Sequence, residues 1–378
     1  MKILLLTNSL MLGGIETNIS LLTKEFINKG HDVLVVSSGG IIEREVCRNG
    51  GKISNIKIPH SNPIGSILEL ADTIQSWKPD VIHVFAAYAS LYLWFALKIY
   101  ALKNRLEKKP IVISSVMGLQ NSPDELLIKT QLRNFLLTLG MKKIIIIAPA
   151  IYELMKKLPV SKARFIERKV VGVRIPSPLE SREKVGIRKE LGVDDRERIV
   201  ITIGALAPRK SHEFFIETAY KIIKQRSDVH FFIVGEGKLR NYYEGRIHQY
   251  NIANNVHLLG IRQDILRLLA VSDIYVKPGI VEGFAGITVM EAQSMGVPVV
   301  AFDTKDVRLV IEHGVTGIIV PKCDTDELAS AILLLLENKE LSKEIREAGQ
   351  AFIEREYSIS VVVKELIELY NALLSENR

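Results

Sequence analysis

Hydrophobic positions along this chain follow two alternating rhythms. Short continuous runs of β-branched and aliphatic residues, as in "KILLLTNS", "HDVLVVSS", "DVIHVFA", "PIVISSV" and "KKIIIIA", read as strands buried on both faces. Between such runs the apolar positions step by three and four. Ile15, Ile19, Leu22 and Phe26 make one face of a helix, and Gly30 closes it before the next strand. This βαβ alternation predicts a mostly parallel sheet with helices on both faces.

The rhythm breaks between about residues 174 and 198, where "RIPSPLESREKVGIRKELGVDDRER" gathers prolines, serines and charges around one short helical stretch. A domain boundary belongs there. The alternation restarts in "RIVITIGA", "VHFFIVGEG", "NVHLLG", "DIYVKPG" and "PVVAFD". Near the end, "SVVVKELIELYNALL" carries Val362, Leu366, Leu369 and Leu373 on one stripe. The expectation is an α/β protein of two Rossmann-like domains, 1–175 and 176–359, facing each other across a cleft. A helix over 360–378 would return to the first domain. Ligands of such sheets bind at the carboxyl ends of the strands.

Composition narrows this picture only slightly. A chain of 378 residues exceeds the usual single core, and 47% apolar with 25% charged residues excludes extended disorder. Cys47 and Cys323 are too few for a disulfide framework, and the eight histidines show no helix-spaced ligand set. A cytoplasmic setting is expected. The opening "MKILLLTNSLMLGG" reaches Asn and Gly too soon for a signal peptide, and no run of about twenty apolar residues spans a bilayer. The net charge of +7 fits an anionic ligand, a membrane surface or nucleic acid without choosing among them.

Several short stretches bear on chemistry. Gly13 and Gly14 in "NSLMLGGIET" stand between a strand and a helix start, where bare amides can meet an anion. A tight turn would also require them. In "VGEGKLRNYY" the glycine pair Gly235 and Gly237 is followed by Arg240 where a dinucleotide fingerprint needs glycine, so a turn at a strand end is the better reading. Arg209 and Lys210 in "GALAPRKS" follow the second domain's first strand, a position from which cations hold a diphosphate, or simply a solvated surface pair. Asp324 and Asp326 in "KCDTDELASAI" are explained by helix capping, without a metal.

The stretch "DIYVKPGIVEGFAGITVMEAQSMGVPVV" reads as strand, Gly-rich loop, helix and strand. A helix over Ile287–Ser294 places Glu291 near its first turns, where the helix dipole favours a carboxylate. The functional alternative is that Glu291 accepts hydrogen bonds from vicinal hydroxyls while amides of Gly283, Phe284, Ala285, Gly286 and Ile287 face sugar and phosphate oxygens.

In order along the chain, "LGGIET", "GALAPRKS", "FFIVGEG", "VHLLG", "SDIYVKPG", "EGFAGITVMEAQSMGVPVV" and "VIEHGVTGIIV" resemble the landmarks of the retaining GT-B glycosyltransferases of family 4. The resemblance covers nearly the whole chain. It implies a hexosyltransferase that uses a nucleoside-diphosphate sugar with retention of configuration and no obligatory metal or other cofactor. The donor would lie in the second domain and a glycan, lipid-linked or small-molecule acceptor in the first. Carried onto this sequence, the family's pattern gives Lys210, Arg209 and Glu282 catalytic roles. It gives Gly13, Gly14, Gly204, Gly283, Phe284, Ala285, Gly286, Ile287 and Glu291 roles in donor binding.

Three departures stand out. Glu282 and Glu291 are separated by eight residues, one more than in the family signature. Ala205 replaces the arginine usually paired with the lysine, so that either Arg209 supplies that charge or phosphate binding rests on Lys210. Met117 in "SSVMGLQN" occupies the place of a frequent histidine, with a backbone carbonyl or Asn121 as the substitute. A GT-B sugar-nucleotide epimerase and a non-catalytic sugar-nucleotide-binding protein are the alternative readings.

One further segment, residues 91–109 in "LYLWFALKIYALKNRLEKK", combines Trp94, Phe95, Leu97, Ile99 and Leu102 with Lys98, Lys103, Arg105, Lys108 and Lys109. It suits either a peripheral contact with an anionic membrane, on its cytoplasmic face, or a core helix with a solvated basic end. No nucleic-acid partner is expected.

Overall fold

The structure is a computed structural model. It describes residues 1–11, 13–58, 61–103, 109–116, 132, 135–136, 138–147, 152–153, 155–157, 164–167, 169–281 and 286–376. Two compact units emerge: Met1–Gly172 together with Tyr357–Arg378, and Val173–Glu356.

The first unit is built on seven strands: β1 (Lys2–Leu6), β2 (Asp32–Ser37), β3 (Lys52–Asn55), β4 (Val81–Val84), β5 (Ile111–Val116), β6 (Lys143–Ile146) and β7 (Phe165–Glu167). They pair in the order β3-β2-β1-β4-β5-β6-β7, every neighbour parallel. The long apolar runs of the sequence are its interior strands, buried along nearly their whole length. Edge strands β3 and β7 read "KISN" and "FIE" and bury little, so they lack that signature.

The helix Gly14–Asn28 and the last helix, Ile359–Ser375, pack on this sheet. Val362, Val363, Leu366, Tyr370 and Leu373 of the last helix join one core with Ile3, Leu5, Phe26 and Val81. The buried stripe therefore drifts from the expected one. Tyr370 is fully buried, and Leu369 is only partly so. The reason lies in a polar clamp: His83 Nδ1 is 2.6 Å from Tyr370 Oη, and His83 Nε2 is 2.5 Å from Ser115 Oγ. Burial drives the imidazole down to about 3, so it stays neutral with both nitrogens engaged.

The second unit holds β8 (Arg198–Ile203), β9 (Val229–Val234), β10 (Val256–Gly260), β11 (Ile274–Lys277), β12 (Val299–Phe302) and β13 (Ile318–Val320). Their order is β10-β9-β8-β11-β12-β13, again all parallel. The chain reverses its direction of sheet growth between β8 and β11, and in such sheets the crevice at that switch point receives ligands. Helices His212–Ile223 and Thr325–Glu337 cover one face, burying Phe215, Ile216, Leu328 and Ile332 against Val200, Phe231 and Val300. Asp324 caps the second of these by accepting from the amides of Asp326 and Glu327, which accounts for that acidic pair.

Candidate functional site

The loop after β8 is shaped by close backbone packing. Gly204 donates to Val234 O, and Leu206 donates to Glu236 O. Gly235 has φ +145°, and a Cβ there would strike Gly204 O; one at Gly237 would strike Leu206 O. The glycine pair of "VGEG" thus exists to let the β8 loop lie against the end of β9, consistent with a turn and not a dinucleotide cradle.

Beyond that loop, Pro208–Lys210 forms one 3-10 turn and Ser211 takes a left-handed φ of +51° before the helix His212–Ile223 begins. Lys210 folds back, its Cδ and Cε at 3.2 Å from where a Gly204 Cβ would be. A side chain at Gly204 would push the lysine stem, where it crosses the end of β8, aside by a few tenths of an ångström. Burial, followed by the charges of Arg209 and Lys277, lowers the Lys210 ammonium to about 8, with Asp306 opposing the shift. Arg209 is exposed. His212 is buried, its Nε2 at 3.3 Å from Gly204 O, and desolvation lowers its imidazole to about 4.

Across the crevice, β11 ends at Lys277. Lys277 Nζ donates to Gly279 O at 3.3 Å and lies 4.0 Å from Asp306 Oδ2. Gly279 comes close to the backbone oxygens of Arg209 and Lys210, so the two loops meet.

The helix Ile287–Ser294 follows, with Gly286 at its N-cap in a φ of +94°. Glu291 is the fifth residue of that helix, outside the first turn. The dipole effect fades within one turn, so helix initiation does not explain this carboxylate. Glu291 is half-buried, and among the described residues its carboxylate has no hydrogen-bond or ion-pair partner. Burial alone raises its carboxyl to about 7. A desolvated acid without a protein partner is costly unless something else meets it. Near it, Tyr275 Oη is 2.8 Å from Thr288 Oγ1, and both burial and the Glu291 charge push the phenol up.

Gly204, Arg209, Lys210, Gly286, Ile287 and Glu291 thus share the carboxyl-end rim of the six-stranded sheet. Glu282, Gly283, Phe284 and Ala285 lie outside the described residues, as do Met117 and Asn121. Gly13 and Gly14 belong to the first unit, after β1. Gly13 is extended at φ −175°, Gly14 opens its helix, and the Glu16 carboxylate folds over Gly13. That helix end therefore carries an acid of its own, which burial pushes up. Sequence reasoning missed Lys277 and Asp306. The only signal was a lysine ending an otherwise apolar strand.

Residues 184–352 match the family of glycosyl transferases group 1, and residues 12–166 match Glycosyltransferase Family 4. The chain belongs to the family 4 glycosyltransferases. Its similarity to the alpha-D-kanosaminyltransferase of Streptomyces kanamyceticus is 31% identity over 189 residues, 50% of this chain and 48% of that one. An uncharacterized glycosyltransferase of Methanocaldococcus jannaschii is 24% identical over 380 residues, covering 95% and 94% of the two chains. Matched regions thus span about half of the first relative and nearly all of the second. Among solved structures, Anabaena HepE in complex with UDP-glucose superposes with a TM-score of 0.85 at 18% identity, covering 98% of this chain and 100% of that one. The glycosyltransferase fold, two parallel Rossmann-like sheets, is shared.

Proposed function

We propose that this glycosyltransferase moves a hexose, with retention of configuration, from a nucleoside-diphosphate sugar held by its second unit. The observation that carries this reading is the unpartnered, half-buried Glu291 on the rim that also bears Arg209 and Lys210. A carboxylate suits the vicinal hydroxyls of a ribose, and cations at the end of β8 suit a diphosphate. As the sugar departs, negative charge grows on the leaving diphosphate, and fixed cations stabilise that state more than the ground state. A phosphate oxygen can then take the acceptor's proton, so no separate base is required. Glu282 and the amides of Gly283–Ile287 belong to the same proposed donor site, as does Gly204.

The acceptor is assigned to the first unit, as a glycan, a lipid-linked sugar or a small molecule. A peripheral membrane contact through 91–109 belongs to this reading. In the helix Ala87–Lys103, Tyr88, Phe95 and Leu102 are exposed at seven-residue spacing with Lys98 between them, while Trp94, Leu97 and Ile99 are half-buried. Among the described residues no helix is long and apolar enough to cross a membrane.

The test is a thermal-shift panel of UDP-, GDP- and ADP-sugars, followed by NMR of the product formed with the stabilising donor. A donor at about a hundred times its dissociation constant adds roughly 2.7 kcal/mol. No stabilisation by any nucleotide sugar would overturn the donor assignment, and an inverted anomeric centre would overturn retention.

A further inference from the structure

The crevice between β8 and β11 carries more positive charge than Arg209 and Lys210 supply. Lys277 is the last residue of β11, directly across the point where the sheet reverses growth. Its side chain is only 14% exposed, and its ammonium reaches Gly279 O, in the segment that touches the backbone of Arg209 and Lys210. Behind it lies Asp306, 2% exposed. Asp306 Oδ2 stands 4.0 Å from Lys277 Nζ, and Oδ1 is buried without a hydrogen bond among the described residues. Among the described residues, the charges of Arg209 and Lys277 act on Lys210, with Asp306 opposing them. Burial is the main cause of the depressed Lys210 ammonium, and the like charges of Arg209 and Lys277 add to it. A ligand bearing two or more negative charges would relieve that repulsion.

We propose that Lys277 is a third cation of the diphosphate site and that Asp306 is the positioning residue that holds it at the end of β11. The inference rests on the reading that this crevice receives a nucleoside-diphosphate sugar. The cation ends β11 and the acid lies in the loop after its neighbour β12, so the sheet sets their spacing. Asp306 does not touch the ligand. It keeps the lysine charged and turned to the rim, as buried second partners of ligand-binding groups commonly do.

The experiment uses the full chain with inorganic pyrophosphate as probe, its dissociation constant measured by calorimetric titration from pH 6.5 to 9.5. At pH 7, Lys277→Met should weaken binding about ten-fold, a loss of about 1.4 kcal/mol. Lys277→Arg should recover most of it. The pH dependence supplies a second readout that a merely structural role would not move. Binding should weaken as Lys210 loses its proton, near pH 8 in the unaltered protein. The charged groups acting on Lys210 are Arg209, Lys277 and Asp306, with His212 neutral beside it. Lys277→Met removes a like charge and should move the break upward, whereas Asp306→Asn removes the opposing charge and should move it downward. Titration of pyrophosphate itself is common to all the proteins and cancels.

Unchanged affinity and an unmoved break in Lys277→Met, while Lys210→Ala loses binding, would overturn the role of Lys277 and leave the donor site standing. No binding in the unaltered protein, or no loss in Lys210→Ala, would instead remove the diphosphate assignment beneath it. Should Lys277→Met fail to fold, Lys277→Gln keeps a donor for Gly279 O and carries the same expectation.

Discussion

Replacing Glu291 by Gln should make the ligand-free protein more stable at pH 8 while weakening its hold on the donor. Burial raises the carboxyl from 4.5 to about 7. A change of that size corresponds to about 3.4 kcal/mol undiscounted, and the half-buried side chain keeps some water, so about 1–3 kcal/mol is the working range. The direction follows from proton binding. Below about pH 4.5 the group is protonated in folded and unfolded chains alike, and the substitution changes little. Between there and pH 7 the unfolded chain ionises first, so the native state loses stability as pH rises. Above pH 7 the full cost is present in the unaltered protein and absent from Glu291→Gln. For a unit of this size about 1 kcal/mol shifts the melting temperature by roughly 2–4 °C. Scanning calorimetry without ligand should therefore show the second unit of Glu291→Gln melting about 2–12 °C higher at pH 8 and nearly unchanged at pH 4. Calorimetric titration with the donor should show about ten-fold weaker binding, the scale of a lost hydrogen bond to a charge. A variant that melts no higher than the parent at pH 8 would refute the claim that this carboxylate is held unpartnered for a ligand.

Three further outcomes are expected. Tyr370→Phe leaves His83 Nδ1 without its partner in a fully buried setting, and should cost about 1–3 kcal/mol of first-unit stability in urea melts while the second unit is unaffected. Gly235→Ala forces a side chain into a φ of +145° and against Gly204 O, and should abolish the folded second unit, read as loss of its protease-resistant fragment. Phe95→Asp, on the exposed stripe of Ala87–Lys103, should reduce co-sedimentation with vesicles of phosphatidylserine several-fold at low salt; equal binding by the variant would assign the stripe to some other contact.

Much of the architecture was legible because interior parallel strands are apolar on both faces and announce themselves as runs such as "VITI" and "VVAF". Edge strands lack that pressure, which is why "KISN" passed unnoticed. Glu291 could be found from its setting after a glycine-rich loop. Whether it started the helix or served a ligand depended on its being the fifth residue, a boundary that composition does not fix. Lys277 and Asp306 were invisible for a different reason. Their partnership is made by sheet register between β11 and β12, and nothing in the local pattern of either residue reports it.

The first unit is discontinuous in sequence, interrupted by the whole of the second. During synthesis on the ribosome, residues 173–356 form an unbroken stretch able to fold as soon as they emerge. The earlier-made sheet must wait for Val362, Leu366 and Tyr370 before its core is complete. Until then, apolar surface from Phe26 and Val81 and the ring of His83 stays uncovered. A nascent chain of this kind is most exposed to aggregation and to proteases at its oldest end, and a premature stop near residue 358 would leave a sound second unit tethered to a first that cannot close.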